Sequence, residues 1–147
     1  MLRYKIIVAY DGTDFEGWQI QNNSKTIQGE LEDALKIINN NKSIKIFGSG
    51  RTDSGVHAIA QVAHFDFDFK KRSKFDLKNA INGNLPEEIR IIDCEKVPSN
   101  FHARFSAVSR TYIYKTRIND NIFDKNYTWR VGKLKLNLLN ELASMII

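Results

Sequence analysis

The pattern of apolar and polar positions divides the chain into alternating strands and helices. The opening run LRYKIIVAYDG predicts a first strand closed by Asp11-Gly12, a turn pair. A polar loop, TDFEGWQIQNNSK, follows and carries an isolated Trp18. Thr26 is placed to cap a helix, because Ile27, Leu31, Ala34, Leu35 and Ile38 then recur at helical spacing, and Asn39 to Asn41 end it. SIKIFGSG predicts a second strand running into glycines. In QVAHFDFDF the apolar Ala63, Phe65, Phe67 and Phe69 alternate with Val62, His64, Asp66 and Asp68, giving one apolar and one largely polar face. KKRSK, from Lys70 to Lys74, reads as a solvated loop. FDLKNAINGNLP predicts a short helix stopped by Gly83 and Pro86, and the runs EIRIIDCEKV and SRTYIYKTRI predict two further strands. Strand, helix, strand, strand, helix, strand, strand is the order of an α+β domain, with a mixed or antiparallel sheet and helices on one face.

The last segment, KLKLNLLNELASMII, has Leu138, Leu139, Leu142, Ala143 and Met145 to Ile147 in helical periodicity. It lacks the glycine, proline or basic last turn with which helices commonly finish. It is expected to be cut short, with an apolar face that wants a partner.

Length and composition narrow the class. A chain of 147 residues suits one domain and buries roughly 68–70% of its unfolded surface. No apolar run reaches the ~18 residues of a membrane span, and the start has no signal-peptide pattern. Cys94 is the sole cysteine, so neither an internal disulfide nor a cysteine-based zinc site is available, and a reducing cytoplasm is the expected home.

The net charge of +5 matters for where it lies. Between Lys96 and Asn119 there is no acid, and Lys96, Arg104, Arg110, Lys115 and Arg117 are interleaved with Phe101, Phe105, Tyr112 and Tyr114. Cations attract phosphates and aromatic faces stack on bases, so the mixture suits single-stranded or looped RNA. Read locally, the same stretch is also a strand with an apolar inner face and a solvated basic outer face.

The chemistry concentrates in FGSGRTDSGVHA, Phe47 to Ala58. It lacks the third glycine of a dinucleotide fingerprint, the Gly-Lys-Ser/Thr of a P-loop and the G-x-S-x-G of a hydrolase elbow. Asp53, His57, His64 and His102 make a poor metal set, because His57 and His64 share no helix-face spacing. What is left is Arg51-Thr52-Asp53 after a strand, held among glycines that permit positive φ and close approach. A carboxylate on such a rigid loop is placed to act as a nucleophile. An arginine within a few ångströms lowers a carboxyl pKa by roughly 1–3 and keeps it ionised. The local alternative is an Asx-turn at Asp53 and a surface ion pair at Arg51.

Five motifs in order resemble the tRNA pseudouridine synthase A (TruA) family: YDGTDFEGWQIQ, GSGRTDSGVHA, QVAHF, NGNLPEEI and FHARFSAVSRTYIY. The resemblance runs along essentially the whole chain. Ser49 and Ser54 stand where that family often has alanine, and Thr111 where a basic residue is common. The resemblance implies the ferredoxin-like half of the pseudouridine synthase fold, with residues 1–147 as the domain carrying the catalytic aspartate and the C-terminal half absent. It makes Asp53 the nucleophile. Arg51 would help extrude the target base, Tyr112 would stack on the uracil, Arg104 and Arg110 would contact RNA, and His57 would bind substrate. The implied substrate is tRNA, at uridines of the anticodon stem-loop (positions 38–40). The resemblance further implies no cofactor or metal, no membrane, a cytoplasmic location and a homodimer.

The reaction makes sense of a single carboxylate. A C1′–N1 bond must break and be remade as C1′–C5. Glycosidases usually need a second carboxyl group to protonate the leaving group. Uracil can spread the leaving charge over its own carbonyls. One carboxylate could attack the sugar or abstract a sugar proton, and the sequence does not choose between them. A shorter chain of this kind could also be an RNA-binding domain that has lost catalysis.

Overall fold

The computed structural model describes residues 1–69 and 74–145. Two compact units divide it, Met1–Ser109 and Arg110–Ile147.

In the first unit the elements are β1 (Leu2–Tyr10), α1 (Ile27–Ile38), β2 (Phe47–Gly48), β3 (Ala58–Phe67), α2 (Lys74–Asn82) and β4 (Ile89–Val97). The sheet order is β2-β3-β1-β4, and every neighbouring pair is antiparallel. This is the split β-α-β arrangement of a ferredoxin-like fold, an α+β domain. Alternation along β1 turns Tyr4, Ile6, Val8 and Tyr10 to one face, where they are buried with Ala63, Phe65 and Phe67 of β3 and Ile89 and Ile91 of β4. Ile27, Leu31, Ala34 and Leu35 of α1 and Leu77 and Ile81 of α2 complete the same core, so both helices cover that one face.

Local chemistry fixes the ends. The Gly29 amide donates to Thr26 Oγ1 at 3.2 Å, which caps α1. Asn40 and Asn41 close it with φ of 52° and 63°, a region that asparagine tolerates better than most residues. At the edge strand β4, Asn82 donates to the Ile91 carbonyl at 3.0 Å and accepts from the Ile91 amide at 2.7 Å. Those bonds occupy an edge that could otherwise pair with another chain.

Two expectations are corrected. The strand expected over 43–50 is only Phe47–Gly48. Ile44 and Ile46 are buried, and the Ile46 amide donates to Glu32 Oε1 at 3.0 Å while its carbonyl accepts from Gln28 Nε2 at 3.1 Å. Side chains of α1 thus satisfy the backbone that a strand partner would have taken. On the largely polar face of β3, His64 is buried, 2% exposed. Finally, SRTYIYKTRI forms a ladder only at Thr116–Arg117. Alternation makes a strand only where a partner strand pairs with it, and the ladder with the segment Trp129–Arg130 begins at Thr116. The solvated-loop reading of Lys70 to Ser73 lies outside the described residues.

In the second unit, β5 (Thr116–Arg117) pairs in parallel with β6 (Trp129–Arg130), and α3 spans Leu136–Ser144. None of the described α3 side chains is buried, and no side chain caps its start. Its apolar positions Leu138, Leu139 and Leu142 are exposed. No helix among the described residues is long and apolar enough to cross a membrane.

Candidate active site

Asp53 sits on the loop between β2 and β3, and that loop is bound to the one following β1. The Trp18 amide donates to the Thr52 carbonyl at 2.9 Å. The Gly55 amide and the Ser54 hydroxyl both donate to the Phe15 carbonyl, at 3.2 and 3.1 Å. Within the loop, the Val56 amide donates to the Asp53 carbonyl at 3.2 Å. The amides of Ile27 and Gln28 donate to the carbonyls of Gly17 and Trp18, so the same scaffold is fixed to the start of α1.

Glycine is required where the two loops touch. A Cβ on Gly12 would stand 2.1 Å from the Val56 carbonyl oxygen, and one on Gly17 2.4 Å from that of Thr52. Gly17 also has a φ of 85°. A Cβ on Gly48 would meet the Trp18 indole at 2.7 Å. Trp18, isolated in a polar loop by sequence, is therefore a buried wedge beneath the glycine stretch, 6.1 Å from Tyr10 ring to ring.

Three polar groups brace the loop from below and behind. Tyr10 Oη and Thr52 Oγ1 are 2.9 Å apart. Burial pushes the Tyr10 hydroxyl above the usual phenol range, with the Thr52 hydrogen bond opposing it in part. Gln61 Nε2 donates to the Gly50 carbonyl at 2.6 Å and its Oε1 accepts from Ser49 Oγ at 3.2 Å. His57 Nδ1 stands 3.0 Å from Asp11 Oδ1 and accepts from the Gly12 amide at 3.2 Å. Asp11 Oδ1 also accepts from the backbone amide and hydroxyl of Thr13.

What this scaffold presents is Asp53. It is exposed, and among the described residues its carboxylate makes no hydrogen bond or ion pair. The side chain of a structural Asx-turn would bond its own backbone. Arg51 is exposed too, and among the described residues it forms no ion pair with Asp53. Arg104 is exposed in the first unit, whereas Arg110 and Tyr112 belong to the second, where Tyr112 is 66% exposed. Sequence reading passed over Tyr10, Asp11 and Gln61, because their partners lie about forty-five or ten residues away and no short-range pattern marks them. Among the described residues no group of three or more His, Cys, Asp or Glu side chains could hold a metal ion.

A family model described as tRNA pseudouridine synthase matches residues 6–106, which include every element of this scaffold. The chain belongs to that family. Curated relatives agree. A tRNA pseudouridine synthase A of Maridesulfovibrio salexigens is 42% identical over 144 residues, covering 96% of this chain and 52% of its own length. One of Rhodopseudomonas palustris is 46% identical over 151 aligned positions, covering 100% of this chain and 61% of its own. One of Geobacillus sp. is 46% identical over 129 residues, covering 86% and 52%. The chain thus spans between about half and three-fifths of the length of these tRNA pseudouridine synthase relatives.

Proposed function

We propose that this chain is the catalytic-aspartate portion of a tRNA pseudouridine synthase that isomerises uridine to pseudouridine in the anticodon stem-loop, with Asp53 as the reacting carboxylate. The observation that carries the reading is the family match around Asp53, an exposed carboxylate without a partner on a loop held from several sides. Rigid presentation of a reactive group is what such chemistry needs, since a small misplacement costs much of the rate.

In this reading the C1′–N1 bond of the target uridine breaks and the C1′–C5 bond forms. N1 ends protonated and the hydrogen on C5 leaves to solvent, so atoms balance without a redox partner. Asp53 either attacks C1′ or removes a sugar proton, and both routes need one carboxylate. Arg51 helps extrude the base and Tyr112 offers it a stacking face. Extrusion costs a few kcal/mol, and aromatic stacking returns about 1–3 kcal/mol. Arg104 and Arg110 contact the phosphate backbone, and His57, held beside Asp11, lines the substrate side. The reading brings its setting with it: a tRNA substrate, the cytoplasm and a homodimer. The net charge of +5 and the exposure of Arg51 and Arg104 support the RNA part.

Tritium release from anticodon stem-loop RNA carrying [5-³H]uridine tests it. Release that disappears with Asp53→Asn supports the assignment. Salt-dependent RNA binding with no release makes this chain an RNA-binding domain without catalysis. Neither release nor binding removes the reading.

A further inference from the structure

The face of the sheet turned away from the helices carries a ladder of rings that the proposed chemistry does not use. Across that face Phe47 of β2 pairs with His64 of β3, and His64 pairs with Lys5 of β1. The segment after β4 folds over it. Arg3 Nη1 donates to the carbonyls of Ser99 and Phe101 at 2.6 and 2.8 Å. The Ala103 amide donates to His64 Nδ1 at 3.1 Å. The Ser106 amide donates to the His102 carbonyl at 2.7 Å, and the His102 amide donates to Ser106 Oγ at 3.0 Å. The chain from 99 to 106 is therefore fixed at both ends and in its middle.

The rings follow from that fixation. The Phe47 and His64 ring centroids are 5.1 Å apart and nearly parallel, and His64 stands 4.6 Å from His102. His102 lies 4.4 Å from Phe105 at an interplanar angle of 32°. The ladder starts buried, at His64, and ends at Phe105, which is 78% exposed. Phe47 is 47% exposed and leads directly into the glycine loop of Asp53. The ring is held against His102, so little entropy is lost when something stacks on it.

Charge says what that is. From Lys96 to Ser109 there are two cations and no acid, and Arg104 is next to Phe105. Two carboxylates of this face, Asp66 and Glu95, are paired with Arg3 and Lys5. A flat aromatic end beside a cation, in a segment that carries no acid, matches a nucleobase with its phosphate.

We propose that Phe105, backed by His102 and Phe47, is a stacking platform for an unpaired nucleobase outside the uridine that reacts. The platform rests on the RNA reading above and adds a second base-binding position to it. Stacking contributes affinity without neutralising phosphates, whereas an arginine does both.

The test measures the affinity of the 147-residue chain for an anticodon stem-loop RNA across a series of salt concentrations. Phe105→Ala is expected to weaken binding about 5- to 150-fold with the salt slope unchanged. Phe105→Tyr is expected to keep affinity within about 2-fold, because its ring stacks as well. Wild-type binding that Phe105→Ala leaves intact overturns the platform and spares the RNA reading, as does equal loss in Phe105→Tyr. If Phe105→Ala instead dissociates a dimer seen by sedimentation while RNA affinity holds, the ring serves a second copy of the chain and the proposal fails. Failure of the wild-type chain to bind RNA removes both readings together.

Discussion

The hydroxyl oxygens of Tyr10 and Thr52 stand 2.9 Å apart, joining the last core residue of the first strand to the residue just before Asp53. Tyr10 is 4% exposed and packed in the core. The bond therefore transmits the rigidity of the sheet to the loop that presents the carboxylate. Tyr10→Phe keeps the ring and leaves the Thr52 hydroxyl without its partner. It is expected to cost about 1 kcal/mol in urea unfolding. Hydrogen exchange at the Trp18 amide, bonded to the Thr52 carbonyl, should quicken. Unchanged protection there would mean the loop is held without this bond.

Asp53→Asn separates chemistry from structure. An exposed carboxylate without a partner contributes little to folding, so unfolding free energy should change by less than about 0.5 kcal/mol. Tritium release should fall to background while RNA affinity holds. A loss of more than about 1 kcal/mol would make Asp53 a structural turn residue instead.

Two glycines on the paired loops distinguish close approach from backbone conformation. Gly17 has a φ of 85°, and its added Cβ would meet the Thr52 carbonyl oxygen at 2.4 Å. Gly55 has a φ of 75° with nothing within 4 Å of its added Cβ. Gly55→Ala should cost about 1–2 kcal/mol from φ alone. Gly17→Ala should cost about 2–4 kcal/mol, because overpacking adds to that. Equal losses in thermal unfolding would show that the loops part readily.

His64 gives the fold a pH dependence. Its pKa is lowered to about 4, first by burial, then by His102 and Arg3. Between the ordinary value of 6.5 and about 4, the unfolded chain takes up a proton that the folded chain refuses. Stability from this group is thus complete above pH 6.5, falls as the pH drops towards 4, and is steady below. The loss across the window is of order 3 kcal/mol. Urea unfolding at several pH values should show this slope, and His64→Gln should flatten it. The carboxyl group of Asp66, held below the usual carboxylate range chiefly by its hydrogen bond with Arg3, adds its own loss only at lower pH, below 3.8.

Arg3 ties β1 to both the neighbouring strand and the crossing segment. Its guanidinium donates twice to Asp66, at 2.8 and 2.7 Å, besides the bonds to Ser99 and Phe101. Arg3→Met should cost about 1–3 kcal/mol and speed exchange at the Ala103 amide, since both the paired acid and two carbonyls lose their donor. RNA affinity should fall in the same direction as in Phe105→Ala. Slow exchange at Ala103 in this variant would show that His64 alone secures the segment.

The sequence by itself determined the elements whose signals are local. Thr26 and the spacing from Ile27 to Ile38 describe α1, because capping and helical periodicity act within a few residues. The alternation of Ala63, Phe65 and Phe67 places one face of β3 in the core. The ordered motifs around Asp53 named the family. The tertiary structure decided whatever depends on a distant partner. SIKIFGSG and SRTYIYKTRI alternate like strands, yet pairing is shortened in the first by the side chains of Gln28 and Glu32 and confined in the second to Thr116–Arg117. His64 lies on the largely polar face that alternation gives β3, and it is buried because a segment some forty residues later crosses over it. Arg51 and Asp53 read as a pair and are not one, since the loop backbone is fixed by Phe15 and Trp18 rather than by their charges. Periodicity reports which way a side chain faces; only the folded chain supplies what it meets there.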